Sequence, residues 1–128
     1  MNHWIVIAAV SGFIAVLMGA FAAHGLRPAA VLPTQGWIET GARYQMWHTL
    51  ALLAIGLLEA RHAAETAGRW LPIAGWAFLI GIILFSGSLY LLALTNLRLF
   101  ALITPVGGLV FLVGWFALAA YGAGRRER

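Results

Sequence analysis

Tyr44, Gln45 and His48 stand at the head of a long apolar run, in "GARYQMWHTLALLAIG" (residues 41–56). An imidazole exchanges protons or ligates metal; a phenol and a carboxamide donate and accept hydrogen bonds. A segment that only had to rest in lipid needs none of them, because polar groups are costly there. Placed on a helix, Thr40, Tyr44 and His48 recur every four residues, with Gln45 flanking them, and form a polar arc that faces the neighbouring helices. Ser86, Ser88 and Tyr90 in "FSGSLY" and Thr104 in "TPVGG" add hydroxyls to two other apolar runs. His24 closes the first run, on the same side as His48, and is expected to meet it.

Two histidines are an incomplete zinc set. The chain has no H-E-x-x-H and no nearby pair of carboxylates. Haem held between His24 and His48 would need His24 to leave the membrane interface. His3 and His62 lie in polar ends. Asp and Cys are absent, which removes a Ser–His–Asp set, a thiol nucleophile and thiolate ligands. No metal, no cofactor and no enzymatic activity are expected. Interhelical hydrogen bonding is the favoured role for the polar residues.

The elements that carry these residues follow from composition. Of 128 residues, 62% are hydrophobic and only 9% are charged, and the mean hydropathy is +0.90. Soluble domains carry about 25% charged residues, so this is the profile of a membrane protein. A crossing helix needs about 20 mostly apolar residues. Four stretches are expected to cross: residues 4–23, 45–60, 71–94 and 99–121. The fold expected is an all-α bundle of four transmembrane helices in one domain, with a polar, partly helical first connection. The net charge of +4 comes entirely from arginine, without a basic stripe among aromatics, so nucleic acid is not an expected partner. "MNHW" lacks a basic n-region and the first apolar stretch is long, so no cleaved signal is expected. Arg61, Arg69, Arg125, Arg126 and Arg128 fall on one side, Arg27, Arg43 and Arg98 on the other. That bias places both termini in the cytoplasm. Trp4, Trp37, Trp47, Trp70 and Tyr121 lie near span ends, where aromatic belts sit.

Local patterns predict how the helices meet. Ser11, Ala15, Gly19 and Ala23 recur every four residues and form a close-packing face. In the third helix Ser86 and Tyr90 fall on one side, with Ala77, Gly81 and Ser88 roughly opposite, which makes that helix central. Thr34 is expected to cap a helix from Gln35, with Glu39 paired to Arg43. Pro105 is read as a residue of a helical first turn, where its missing N–H costs nothing.

"GAFAAHGL" (19–26), "ETGARYQMWHTLALL" (39–53), "LFSGSLYLLAL" (84–94), "ITPVGG" (103–108) and "GW" (114–115) together resemble the domain-of-unknown-function 423 family. These are small four-helix inner-membrane proteins of bacteria, related to vertebrate transmembrane protein 256. Ala22 stands where the family pattern "GAFGAHGL" has glycine. The resemblance implies a bacterial inner-membrane protein and brings no activity. Its shared polar positions correspond to His24, Tyr44, Gln45, His48, Ser86, Ser88, Tyr90 and Thr104.

Three functions are compatible with these residues. The first is a structural, accessory or assembly-type membrane protein. Its partners would be the lipid bilayer and a homo-oligomer or larger membrane complex, met through the small-residue face of the first helix. The second is a small channel or transporter with a polar pocket around Tyr44, Gln45, His48 and Ser86. The third is a haem- or quinone-associated redox subunit. The first is expected.

Overall fold

The fold comes from a computed structural model that describes residues 1–25, 33–62 and 68–124. Among the described residues the chain forms four helices: a first, His3–His24; a second, Thr34–Arg61; a third, Trp70–Thr95; and a fourth, Arg98–Gly124. The first, third and fourth are long and apolar enough to cross a membrane. At 28 residues the second is the longest, but it carries Glu39, Arg43, Glu59 and Arg61 as well as Gln45 and His48.

Each helix packs on the next in chain order, so the second and third lie in the middle. Many large apolar side chains point outward, although Trp4, Phe78, Leu52 and Leu71 are buried. Phe13, Leu57, Ile83 and Leu109 are among the many that are exposed, while the buried faces are rich in Ala, Gly and Ser. In lipid there is no hydrophobic gain in bringing two helices together. Small residues that let backbones approach, and hydrogen bonds between helices, do that work instead.

The first and second helices run antiparallel. Asn2 caps the first helix by accepting from the Ile5 N–H (3.2 Å), and its amide donates to the Gly56 carbonyl (2.6 Å). Further along, Ser11 meets Thr49. The buried stripe of the first helix is Trp4, Ala8, Ser11, Ala15 and Ala22, spaced by four, three, four and seven. Ser11 and Ala15 of the expected packing face are on it. Gly19 is half-buried with nothing within 4 Å of a Cβ placed there, and Ala23 is exposed. A strict four-residue stripe drifts about 40° per step around a helix of about 100° per residue, so it leaves the seam that a heptad spacing follows. Of the small-residue face expected to meet another protein, Ser11 and Ala15 are thus buried inside the bundle, while Gly19 and Ala23 are left uncovered. Trp4, expected in an aromatic belt, is 1% exposed and lies over Gly75.

The second helix begins one residue before the expected start, with Pro33 preceding it and no side-chain cap. It continues through Gly41 without a break, so lead-in and apolar run are one element. Among the described residues the expected Glu39–Arg43 ion pair does not form; Glu39 accepts from the Gln35 amide at 3.0 Å. Arg27, Arg125, Arg126 and Arg128 of the charge argument lie outside the described residues.

The third and fourth helices interlock by size. Phe78 lies against Gly114, Phe111 against Gly81, and Phe85 against Gly107, and beyond them Ser88 is bonded to Thr104. Both sets are spaced three, four, three, the seam of an antiparallel pair with knobs in holes. The closest approach is at Gly107, where a Cβ would come 2.7 Å from the Phe85 Cα. Opposite it, residues Ile82–Ser86 widen into a π-turn, with the Gly87 N–H bonded to the Ile82 carbonyl. Thr95 and Asn96 turn the chain into the fourth helix. Asn96 takes the left-handed conformation (φ 56°), and the Thr95 hydroxyl donates to the Leu91 carbonyl. That turn is tight enough for the helix to restart at Arg98, which puts Pro105 inside it rather than in its first turn. Pro105 has no N–H to offer the Ala101 carbonyl, one turn earlier.

Gly107→Ala is expected to destabilise the fold by about 1–3 kcal/mol through overpacking against the Phe85 backbone. Gly108→Ala, whose Cβ would meet only the Phe85 ring at 3.8 Å, is expected to be neutral or stabilising. Thermal unfolding of both variants in detergent, followed by circular dichroism, checks the contrast.

Candidate functional site

Gln45 is buried where three helices meet. Its amide donates to the Ser11 carbonyl (3.1 Å) and the Ser11 hydroxyl (3.2 Å) of the first helix. Its carbonyl accepts from the Tyr90 hydroxyl of the third helix at 2.6 Å. The Ser11 and Thr49 hydroxyls share a further bond at 2.6 Å. One turn before Gln45, the Gly41 carbonyl accepts from the fully buried Ser86 hydroxyl at 2.7 Å. Gly41 also makes room for Tyr90. A Cβ there would sit 2.7 Å from the ring, so the phenol reaches Gln45 only because position 41 has no side chain.

His48 faces elsewhere. A Trp indole can only donate, so the bond from Trp115 Nε1 to His48 Nε2 (3.1 Å) assigns Nε2 as acceptor and leaves the proton on Nδ1. Nδ1 then donates to the Tyr44 carbonyl at 2.6 Å. The imidazole lies flat on the Phe111 ring, with centroids 3.5 Å apart and planes 7° apart. Tyr44 packs against Phe85 and Trp47. A third polar contact joins the third and fourth helices: the Ser88 and Thr104 hydroxyls lie 2.6 Å apart, so that when one donates to the other only the acceptor's proton is left for a backbone carbonyl of its own helix.

The polar arc of the second helix is therefore split. Residues 44 and 48 lie about 100° around the helix from 45 and 49, enough for one pair to face the fourth helix and the other the first. The polar residues do not gather into a single pocket. Gln45, Ser86 and Tyr90 border a groove of about 440 Å³ between the first and third helices. Tyr44 and His48 line one of about 470 Å³ beside the fourth. Thr104 lies on the seam between the third and fourth helices.

His24 is exposed at the end of the first helix, and the structure does not bring it to His48, whose two nitrogens are both engaged. Among the described residues no three His, Cys, Asp or Glu side chains converge as a metal site would require. Ala77 and Gly81 lie on the buried side of the third helix, Gly81 under Phe111. Sequence reasoning missed Thr49, Trp115 and Phe111. Thr49 stands four residues after Gln45, and the three-four-three spacing of Phe and Gly in two successive runs was there to be read. The pairing of Trp115 with His48, 67 positions apart, had no local signal.

Residues 18–108 match the family model described as "Protein of unknown function (DUF423)". The chain is 46% identical over 122 residues to a UPF0382 membrane protein of Haemophilus influenzae, covering 95% of this chain and 94% of that one. It is 46% identical over 124 residues to the UPF0382 inner membrane protein YgdD of Escherichia coli K12, covering 97% and 91%. A UPF0382 membrane protein of Staphylococcus saprophyticus is 42% identical over 118 residues, 92% of this chain and 94% of its own. These names give a membrane location and no activity. No solved structure matches. With a family model over most of its length and relatives at this identity along nearly all of it, the chain belongs to the DUF423 family of membrane proteins.

Proposed function

We propose that the protein is a structural or accessory component of the bacterial inner membrane, without enzymatic activity, in which the intramembrane polar residues join helices. One observation carries this reading: apart from the Trp4 indole, whose N–H has no partner among the described residues, the buried polar side chains are joined across helix seams to one another or to backbone carbonyls. Ser11, Gln45, Thr49 and Tyr90 form one connected set, Ser86 holds the Gly41 carbonyl, and Ser88 holds Thr104. A channel or transporter would need donors and acceptors free to replace a solute's water, and those of Gln45, Ser86 and Tyr90 are spent on neighbouring helices. A haem site would need a free imidazole nitrogen at His48.

In this reading all four helices cross the bilayer. The second lies antiparallel along the first from Asn2–Gly56 to Ser11–Gln45, so a crossing first helix carries its partner across with it. Arg61 and Arg69 then lie on the same side as the N-terminus, and the arginine bias puts that side in the cytoplasm. Because Ser11 and Ala15 of the small-residue face are buried inside the bundle, a second copy or larger complex would dock on the outward surfaces, Gly19 and Ala23 among them.

Two measurements test this. Tyr90→Phe is expected to lower stability by about 0.6 and at most about 1.7 kcal/mol, the range for interhelical bonds in a membrane. Gln45→Leu should cost more, about 1–3 kcal/mol, because it strands the Tyr90 hydroxyl as well. A double-mutant cycle should then give a non-zero coupling; additive losses would sink the joining role. For the accessory role, the mass of the protein purified in mild detergent is expected to exceed that of one chain plus its micelle. A lone monomer that co-purifies with nothing would count against it.

A further inference from the structure

The groove beside the fourth helix differs from the other in what lines it. Its walls carry the rings of Tyr44, Trp47, His48, Phe111 and Trp115, and Gly108 leaves one wall open. Its mouth opens outward: Trp47 is 51% exposed, and Leu50 and Leu112 at the rim are exposed too. In a membrane protein that mouth faces lipid, so an occupant enters from the bilayer. The volume of about 470 Å³ falls within the range of about 300–1,000 Å³ for small-molecule sites.

The polar groups in the groove are unequal. His48 gives one nitrogen to the Tyr44 carbonyl and the other to the Trp115 indole, which is itself spent in that bond. The Tyr44 hydroxyl has no hydrogen-bond partner among the described residues. Tyr44 is half-buried at the head of the apolar run, and a phenol hydroxyl with no partner takes an acceptor when one is supplied. Aromatic walls prefer a flat ring, offset or edge-on, about 4.5–7 Å from their own centroids. A flat ring, an acceptor carbonyl and delivery from the lipid phase describe one chemical class. A phospholipid could fill the space and bring an ester carbonyl, but it offers no flat ring.

We propose that this groove binds the head group of a lipid-soluble quinone, its ring against the exposed faces of Trp47 and Trp115 and one carbonyl accepting from the Tyr44 hydroxyl. His24 takes no part in this site, and binding alone is assigned. The proposal goes beyond the accessory role and stands whether or not that role holds.

Photolabelling with an azido-substituted benzoquinone in lipid nanodiscs tests it, with decyl-benzoquinone as competitor. Label is expected in the peptides that contain Tyr44–Leu50 and Gly108–Trp115, and excess competitor should reduce it about tenfold. Leu112→Trp fills the groove from an exposed, lipid-facing position and should reduce labelling similarly without lowering thermal stability. Tyr44→Phe should weaken competition by about tenfold, the loss of one hydrogen bond. Uncompeted label spread over all outward helix faces would overturn the proposal. So would competition by added phospholipid as effective as by quinone, which would make this a lipid groove. A detergent-solution mass that falls with Leu112→Trp would overturn it too, by assigning the groove to a second copy of the chain.

Discussion

The Gln45 carboxamide ties three helices with one side chain. It is carried by the second helix, donates to Ser11 in the first and accepts from Tyr90 in the third. In hydrocarbon no water competes for these groups, so a donor or acceptor left alone there is expensive. That constraint selects the residues around it. Position 41 must lack a side chain for the Tyr90 ring to cross. Ser11 must present both its carbonyl and its hydroxyl, and Thr49 engages the same hydroxyl. The arrangement is connected in the sense that moving any one helix leaves polar groups on the others unpaired.

The second seam works on a different principle. Between the third and fourth helices, the rings of Phe78 and Phe111 enter the spaces left by Gly114 and Gly81, and the Phe85 backbone comes up against Gly107. Dispersion and shape do there what hydrogen bonds do on the other side, and Ser88–Thr104 adds a single polar contact at the end. The π-turn at Ile82–Ser86 belongs to both seams. Ser86 in it reaches the second helix, while Phe85 beside it lies on Gly107 of the fourth. Such turns are rare outside functional or close-packed positions, and here one helix has to serve two neighbours with different demands. His48 adds a link past the third helix, stacking on Phe111 and accepting from Trp115. Helices that pack in sequence leave open grooves where alternate helices flank a common neighbour, and the grooves bordered by Gln45 and by His48 follow from that layout.

Much of this was legible in the residues. The division of the third helix into a Ser86–Tyr90 side and a Gly81–Ser88 side is a matter of angular spacing, and the two sides do meet the second and fourth helices. The inward set of the second helix could be named because polar residues in an apolar run have few other uses. Other readings failed for reasons outside any local window. Trp4 is core because Gly75, far along the chain, leaves room for its ring. Pro105 is interior because the Asn96 turn is short enough for the helix to restart at Arg98. Gly19 has open space around it because the seam follows heptad spacing rather than a four-residue stripe.

By itself the sequence determined the class of the protein, its helices and its family, because hydropathy, helical period and motif identity are properties of the chain read in order. It also marked which side chains were too polar to be left to lipid. Only the tertiary structure decided who their partners are. Tyr44 and His48 were read as one arc with Gln45, yet a rotation of about 100° between adjacent positions sends them to different helices. The expected meeting of His24 with His48 was replaced by Trp115, because hydrogen bonding depends on ångström distances between helices, and nothing in the order of residues states those distances. The same holds for the Tyr44 hydroxyl, which has no hydrogen-bond partner among the described residues, a fact of spacing between helices and not of residue order.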